Sequence, residues 1–433
     1  GLIGRLGTEQ DADRRREYAA LLTRVYKKLG PTVYWGYRPP PRPPNTVAWE
    51  RTEAIEKALD RVLADPEHAV RLAILKRVQR EAIPARLATL GRWLREEHQA
   101  DSVAAILDSL RARPAKEVRG YLGMIAGDKK HSTANRLTAL ALFAGGLDPA
   151  NESQLLKLAG EIEEGLVLAE LLRRIGQRPG LGAAPLLSRN LTSPAAEVRT
   201  AAVEALTQLR VVAAGEPIQE LLKDKDARVR SAAATAMGKF GVTAAAAALL
   251  KLVRDADPSV RRASLEALRS LREPGAVPLA LAALADRQTE LVALDCVGDL
   301  GGPDQATAVS ELSKRNPSTE VLPKVVAILN RWISRTKLPA ARRLQLNRAV
   351  AEVQGANGVL LRWHVLGPVP AQAGPQIIMR FALPQPSSGE AGGHTGSWRS
   401  FLATGTESPV MLDSSKGVEG DAVWHGYTDV RVD

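Results

Sequence analysis

The chain has 433 residues, which favours several domains or a repeat array over one ordinary globular core, and its 45% hydrophobic content excludes a disordered chain. It contains no run of about eighteen apolar residues, so the sequence predicts no membrane-spanning helix. The formal net charge of +11 is typical of proteins that bind nucleic acid or an acidic partner. The basic residues are spread along the chain, however, which favours the interpretation that they lie on solvent-exposed helix faces.

The two ends of the chain indicate a piece of a longer protein. Residues 1–30 are predicted to form an N-terminal helical hairpin, which includes the charged helical segment "RRREYAALLTRVYKK". The chain begins at Gly1 without a signal-peptide pattern, and its last residues, "AVWHGYTDVRVD", alternate like a strand and then stop. We therefore expect any targeting signal to lie outside this sequence, which leaves the compartment undetermined.

Residues 31–52 are predicted to form an extended loop rich in proline and aromatic residues. Proline at this density prevents both helix and strand in "GPTVYWGYRPPPRPPNTVAWERT" and favours a polyproline-type conformation. One interpretation is a recognition loop with Trp35, Tyr37 and Trp49 as its anchors on a partner. The alternative is that these rings pin a long loop to the first hairpins, because a loop of this length needs hydrophobic anchorage of its own.

A helical repeat dominates residues 53–345. "SPAAEVRTAAVEALTQLR", "DKDARVRSAAATAMGKFG" and "DADPSVRRASLEALRSLR" are three copies that place Val198, Val229 and Val260 at intervals of 31 residues. In the middle copy the apolar residues follow i, i+4, i+7 and i+8 spacing, which predicts one stripe of an α-helix, and a second apolar helix follows each copy. A hairpin with one apolar face cannot cover that face alone, so the repeats are predicted to stack into an α-solenoid.

An arginine follows the valine in each copy, at Arg199, Arg230 and Arg261. One interpretation is a basic ladder that contacts nucleic acid with steep salt dependence. The alternative is that each arginine pairs with the aspartate of a neighbouring turn, Asp224 or Asp255, and helps to set the register of the stack. The single cysteine, Cys296, lies among small apolar residues further along, which predicts a buried structural thiol and excludes an internal disulfide or a Cys-x-x-Cys site.

Residues 357–433 are predicted to begin a small β-sandwich. Glycine and proline become frequent there, and "GVLLRWHVLGPVP", "QIIMRFALP" and "SWRSFLAT" have strand character. His364, His394 and His425 lie in this tail, but their spacing does not fit metal coordination. We therefore predict no catalytic, cofactor-binding or metal-ligating residue in the chain.

Two resemblances follow from these motifs. The three copies resemble HEAT repeats of the short, alanine-rich bacterial type, in which "D-x-x-x-V-R-x-x-A-x-x-A-L-x-x-L-G" marks one helix. "YWGYRPPPRPPNTVAWERT" and "WHVLGPV" (Trp363 to Val369) resemble segments that flank the HEAT array in large proteins of Planctomycetes and related bacteria. Val369 stands where that group usually has phenylalanine. The group is known as membrane-bound dehydrogenases or haem-binding-domain proteins.

The second resemblance implies a β-propeller before this segment and a c-type cytochrome domain after it, in an exported protein. Haem c, and a quinone for a quinoprotein propeller, would then belong to the flanking domains and none to this segment. The leading hypothesis is a non-catalytic scaffold that binds protein domains of the same polypeptide or a protein partner. The alternatives are a nucleic-acid-binding solenoid with a basic concave face and a HEAT-like lyase, although "GLGAAP" lacks the lysine of a phosphate loop and "EIEEG" reads as a solvated helix face.

Overall fold

The computed structural model describes residues 1–28, 47–162, 165–335 and 337–355, and the short stretches 399–402 and 410–413. The chain divides into two compact units, Gly1–Ala236 and Met237–Asp433. Twenty-one α-helices and two short strands occur in the described part of the chain. The fold is therefore mainly α, and the predicted α-solenoid is confirmed.

The first unit contains helices α1 to α13 and most of α14. The helices are α1 (Leu2–Thr8), α2 (Ala12–Arg24), α3 (Thr52–Val62), α4 (His68–Arg80), α5 (Leu87–Glu96), α6 (Ala100–Arg111), α7 (Ala115–Gly127), α8 (Thr133–Gly145), α9 (Ser153–Glu161), α10 (Leu166–Gly176), α11 (Ala184–Arg189), α12 (Ala196–Gln208), α13 (Gly215–Glu220) and α14 (Ala227–Phe240).

The second unit begins near the end of α14. Its further elements are α15 (Ala246–Leu252), α16 (Pro258–Ser270), α17 (Ala276–Ala283), α18 (Glu290–Leu300), α19 (Ala306–Arg315), α20 (Val321–Arg335), α21 (Ala340–Gly355), β1 (Arg399–Leu402) and β2 (Val410–Asp413). The strands pair antiparallel, with Arg399 opposite Asp413. Strand β1 lies in the predicted run "SWRSFLAT", whereas β2 was not predicted, and the rest of the proposed β-sandwich lies outside the described residues.

The core consists of apolar stripes on the longer helix of each hairpin. Val198, Val229 and Val260 are fully buried in α12, α14 and α16, as the repeat predicts. The small residues Ala233 and Ala236 are also fully buried. Looser versions of the repeat also form helices. They are "DPEHAVRLAILKRVQRE" from Asp65, "STANRLTALALFAGG" from Ser132, "LVLAELLRRIGQRPG" from Leu166 and "LPKVVAILNRW" from Leu322, which correspond to α4, α8, α10 and α20.

The helices of the repeat end in one recurrent conformation. Arg210, Gly241 and Arg272 follow α12, α14 and α16 at 31-residue spacing, and all three have positive φ, between 54° and 71°. After each of them the next backbone N–H donates to a carbonyl five residues back, for example Val242 to Met237 at 3.1 Å. This is the Schellman cap, in which glycine is the residue that carries no steric cost. Gly241, the last residue of the middle copy, is thus a helix stop.

Successive long helices approach each other closely at small residues. A Cβ added to Gly176 would lie 2.7 Å from the Cα of Ala205, and one added to Gly238 would lie 2.7 Å from the Cα of Ala267. Both distances are too short for carbon atoms, so a side chain at either glycine would push the helices apart. The abundance of alanine and glycine therefore reflects the packing of neighbouring repeats.

The boundaries of the helical region differ a little from those predicted. Helix α21 continues through residue 345 to Gly355. Among the described residues, no helix combines the length and the apolar character needed to cross a membrane.

Candidate functional site: the turns between hairpins

A carboxylate recurs in the turns that lead into the long helices. In each of these turns, which we call acid turns, the carboxylate accepts the backbone N–H of the residue two positions further on, at 2.8 to 2.9 Å. Acid turns in the described part of the chain carry Asp65, Glu97, Asp128, Asp224, Asp255 and Asp286. This local bond fixes the carboxylate in its turn and leaves its other oxygen directed at a neighbour.

Arg199 shows how an acid turn is joined to the preceding long helix. Its Nε and Nη2 donate to the two carboxylate oxygens of Asp224, both at 2.8 Å, and both side chains are about 8% exposed. Its Nη1 donates back to the carbonyls of Ser193 and Pro194 at 2.8 and 3.1 Å. One guanidinium thus ties the start of its own helix to the next acid turn, and the pairing alternative is confirmed for Arg199.

The other two arginines of the repeat make the same backbone contacts. Arg261 donates to the carbonyls of Asp255 and Ala256 at 2.9 Å and to the carboxylate of Asp286 at 2.7 Å. Arg230 donates to the carbonyls of Asp224 and Lys225 at 2.8 and 3.1 Å. The three guanidinium groups are therefore engaged within the protein.

The ion pairs hold the carboxylates in their charged form. Burial of Asp224 opposes its ionisation, but the bonds from Arg199 and from the N–H of Asp226 outweigh burial and keep the pKa of Asp224 below its ordinary value. The N–H of Gln288 and the bond from Arg261 lower the pKa of Asp286 in the same direction. These turns are thus built around a permanent charge.

A further pair of this type lies outside the recognised copies. Arg15, in α2, donates from Nε and Nη2 to Asp65 at 2.8 and 3.1 Å. Sequence reasoning missed this pair because the proline-rich insert separates the two residues by 50 positions. The acid turn itself was visible, since "DPEHAVR" repeats the pattern of "DADPSVR".

The root of the proline-rich insert is defined by Trp49. Backbone hydrogen bonds of 2.8 and 3.0 Å pair Lys28 with Val47, so the insert leaves and returns at one place. The indole N–H of Trp49 donates to the carbonyls of Val25 and Tyr26 at 3.1 and 3.2 Å, and the ammonium of Lys28 lies 5.0 Å from the ring centroid. Trp49 is half-exposed and serves as an anchor of the loop. Trp35 and Tyr37 lie outside the described residues.

A Ser–His–Glu group surrounds the second acid turn. The buried carboxylate of Glu97 contacts Nδ1 of His68 and accepts the indole N–H of Trp93, both at 2.9 Å. The Oγ of Ser102 lies 3.2 Å from Nε2 of His68 and 3.4 Å from Nδ1. Two such similar distances place the hydroxyl beside the ring and not on the axis of one nitrogen, so the group lacks the nucleophile–base geometry of a catalytic triad. Its role here is to satisfy a buried carboxylate.

The third acid turn contains residues that sequence reasoning did not single out. Ligand atoms of His98, Asp128 and His131 lie within 4.8 Å of one another. His98 and His131 come from different turns, and only the stacking of two hairpins brings them together. The sequence signal, a histidine in each of two consecutive turns about thirty residues apart, becomes visible once the hairpins are aligned.

The second unit contains a free cysteine, Cys296, and a polar cavity. Cys296 is fully buried, and burial raises the pKa of its thiol to about 11, which is the environment of an inert cysteine. The predicted buried thiol is thus confirmed. A shallow cavity of about 370 Å³ in the second unit is lined by Arg269, Arg272 and Asp299, and Arg269 pairs with Asp299 at 3.4 Å.

Sequence comparison identifies a HEAT-repeat region in the chain. A family profile described as HEAT repeats matches residues 215–301, and another, described as PBS lyase HEAT-like repeat, matches residues 198–224. Together the profiles cover less than half of the chain, so they define a region and not the whole protein. No curated protein matches the chain in sequence.

Structural comparison supports the same fold. The karyopherin Kap121p bound to the extreme C-terminus of the protein phosphatase Cdc14p is 14% identical, with a TM-score of 0.54 over 81% of this chain and 43% of the karyopherin. Kap121p bound to Ste12p is 15% identical, with a TM-score of 0.52 over 81% and 42% of the two chains. The complex of CpcE and CpcF of phycocyanin lyase from Nostoc sp. is 16% identical over 75% of this chain and 100% of that chain, with a TM-score of only 0.30. At these identities the likeness extends to the HEAT-like solenoid fold alone, and this chain spans less than half of the karyopherin.

Proposed function

We propose that this chain is a non-catalytic HEAT-repeat scaffold that binds a protein partner or other domains of its own polypeptide. The observation that carries the proposal is that the charged groups of the repeat bind one another: Arg199 and Arg261 donate to carboxylates of the next acid turn and so join neighbouring hairpins. The charged side chains of the repeat hold neighbouring hairpins in place. This use favours a scaffold that provides a binding surface over an enzyme.

Two observations support a protein as the partner. The solved Kap121p structures similar to this chain hold a segment of Cdc14p in one case and Ste12p in the other. In this chain Trp49 anchors the root of the proline-rich insert beside the first hairpins, and this root is the place where a partner is expected.

In its finer form the proposal places the scaffold between two redox domains. The motif resemblance supports a dehydrogenase propeller before residue 1 and a c-type cytochrome after residue 433, in an exported protein. Haem c and any quinone would belong to those domains, and the solenoid would hold them within electron-transfer distance.

An assay of dye-linked dehydrogenase activity tests whether catalysis belongs to the flanking domains and not to this chain. The 433-residue chain should be assayed alone and as part of the polypeptide that includes its flanking domains, with activity expected only in the longer form. Oxidation of a sugar or alcohol by the chain alone would contradict the scaffold function. A Cys-x-x-Cys-His motif in the sequence downstream of residue 433 would support the redox setting, and its absence would remove that finer form while leaving the scaffold intact.

The nucleic-acid alternative rests on the net charge of +11. Because the arginines of the proposed ladder already bind carbonyls and carboxylates, phosphate would have to displace those bonds. Titration with duplex DNA at about 50 mM salt separates the alternatives, since a phosphate-binding groove gains affinity steeply at low salt. We expect no binding under that condition.

The lyase alternative rests on the profile match at residues 198–224. Within that stretch Arg199 and Asp224 bind each other and build the stack. The match is therefore explained by the repeat itself, and it adds no candidate for an acid, a base or a nucleophile.

A further inference from the structure

The acid turn at Asp128 differs from the others in its cationic partner. Asp65, Asp224 and Asp286 each receive an arginine from the preceding long helix, at 2.7 to 2.8 Å. The long helix before Asp128 is α6, "ADSVAAILDSLR", and it has alanine at the position that follows its valine. In the described part of the chain, Asp128 is paired with no arginine or lysine.

Two imidazoles lie beside the carboxylate of Asp128. His98 lies in the short connection between α5 and α6, and His131 lies just before Ser132, the N-cap of α8. Their ring centroids are 5.4 Å apart at an interplanar angle of 58°. One ligand atom from each histidine and one carboxylate oxygen of Asp128 lie within 4.8 Å of one another.

The inner imidazole is buried without a hydrogen-bond partner. His131 is only 5% exposed, and its Nδ1 lacks any donor or acceptor within reach. Buried nitrogens of this kind are rare in folded proteins and call for a missing group that satisfies them. One ring nitrogen of His131 belongs to the cluster with Asp128 and His98, so a ligand bound there would contact this buried imidazole.

We propose that His98, Asp128 and His131 bind a divalent transition-metal ion, with Zn²⁺ as the best fit. Two imidazole nitrogens and one carboxylate oxygen form a ligand set suited to zinc, whereas calcium and magnesium prefer all-oxygen sites. Three protein ligands leave a fourth, tetrahedral position for water.

Small movements suffice to close the site. Tetrahedral coordination at about 2.0–2.1 Å places ligands roughly 3.4 Å apart, so donor atoms that now lie within 4.8 Å of one another need to approach by at most about 1.4 Å. His98 is exposed and lies in a three-residue connection, and it can supply this movement by side-chain rotation. Asp128 is already held by the N–H of Lys130 at 2.9 Å, which orients the carboxylate as an outer-shell bond does in known metal sites.

The ion would perform the task that arginine performs in the other acid turns. It would join the turn before α6 to the turn before α8 and so lock two consecutive hairpins together. This inference does not depend on the proposed partner or on the redox domains, because it concerns the stacking of hairpins inside the chain.

Zinc titration of the 433-residue chain, stripped of metal beforehand, tests the proposal. We expect one zinc-binding event whose dissociation constant rises at least tenfold in His98→Ala and in Asp128→Asn. Zinc should shift thermal unfolding upward in the wild type, and these two variants should lose that shift. His98 is exposed, so His98→Ala is expected to fold, which unchanged far-UV circular dichroism would verify. His394→Ala is the matched control and should bind like the wild type.

Cobalt supplies a second readout that reports on the ligands. Co²⁺ bound in a tetrahedral site should give ligand-field absorption in the wild type and in His394→Ala, and lose it in His98→Ala. Wild-type zinc affinity in His98→Ala, equal loss in His394→Ala, or no binding by the wild-type chain would each overturn the proposal.

Discussion

Replacing Asp224 by alanine should lower the free energy of unfolding by about 3 kcal/mol. The change removes both 2.8 Å bonds between the carboxylate and Arg199, whose side chain is about 8% exposed. A hydrogen bond to a charged group contributes about 1.5–3 kcal/mol, so two bonds set an upper range of about 3–6 kcal/mol. Arg199 keeps its bonds to the carbonyls of Ser193 and Pro194, which places the expected loss at the lower end.

A neighbouring exposed pair provides the matched control. Glu220 and Lys223 lie 3.2 Å apart just before the same acid turn, and their side chains are about 70% and 75% exposed. Because solvent screens such a pair, Glu220→Ala should change the free energy of unfolding by less than about 1 kcal/mol. Both variants lose one carboxylate, so their difference reports the burial of the Asp224 pair together with the bond from the N–H of Asp226.

A double variant separates two effects of Asp224→Ala: the loss of the bonds between Arg199 and Asp224, and the burial of the Arg199 charge without a carboxylate partner. In Arg199→Met/Asp224→Asn the buried cation is gone, and the asparagine oxygen can still accept the N–H of Asp226 that Asp224 now accepts at 2.9 Å. We expect the double variant to be more stable than Asp224→Ala, because removing both members of a buried pair costs less than removing one. Urea denaturation followed by far-UV circular dichroism measures all three variants. A loss in Asp224→Ala no larger than that in Glu220→Ala would refute the reasoning.

Three further predictions follow from the same structure. Folding lowers the pKa of Asp224, so the stability that this carboxylate contributes is present above its ordinary pKa of 3.8 and is lost as the pH falls through the folded value. The free energy of unfolding of Asp224→Asn, measured by denaturation at a series of acidic pH values, should therefore depend less steeply on pH than that of the wild type. Gly238→Ala should cost about 1–3 kcal/mol because its Cβ would lie 2.7 Å from the Cα of Ala267, whereas Gly120→Ala, with open space around it, should be neutral or stabilising in the same denaturation assay. The buried Cys296 thiol, with a pKa raised to about 11, should react with a thiol reagent near pH 8 only when the chain is unfolded, and rapid reaction of the folded chain would contradict the burial.

The repeat could be predicted from sequence because its signals are local. Val198, Val229 and Val260 recur at a fixed interval, and each lies on an apolar stripe within one helix. Periodicity of this kind depends on neighbours three or four residues away, which the sequence displays directly. The pairing of Arg199 with Asp224 was also within reach, since each recurs at a fixed place in its copy.

The insert and the histidine cluster could not be predicted in the same way. Arg15 meets Asp65 only after the chain has passed through the proline-rich insert, which hides the interval between hairpins. His98 and His131 meet because two turns stack, and nothing in a local window records which turns become neighbours. The structure therefore adds most to the sequence analysis at contacts between residues that are far apart in the sequence.

The acid turns connect these observations into one account of how the stack is specified. In each of them the backbone N–H two residues on fixes the carboxylate, and this requirement is the same whether the turn carries Asp65, Glu97 or Asp224. What differs is the side chain that reaches the carboxylate from the preceding hairpin. Asp224 receives Arg199, whereas Glu97 is contacted by His68 at 2.9 Å and lies 3.6 Å from the guanidinium of Arg71. A carboxylate that has lost most of its hydration needs an opposite charge beside it, because an unpaired buried ion is far more costly than an imperfect pair. Asp128 is only half-buried and lies beside the imidazoles of His98 and His131, and this arrangement leaves room for a cation that is not a side chain.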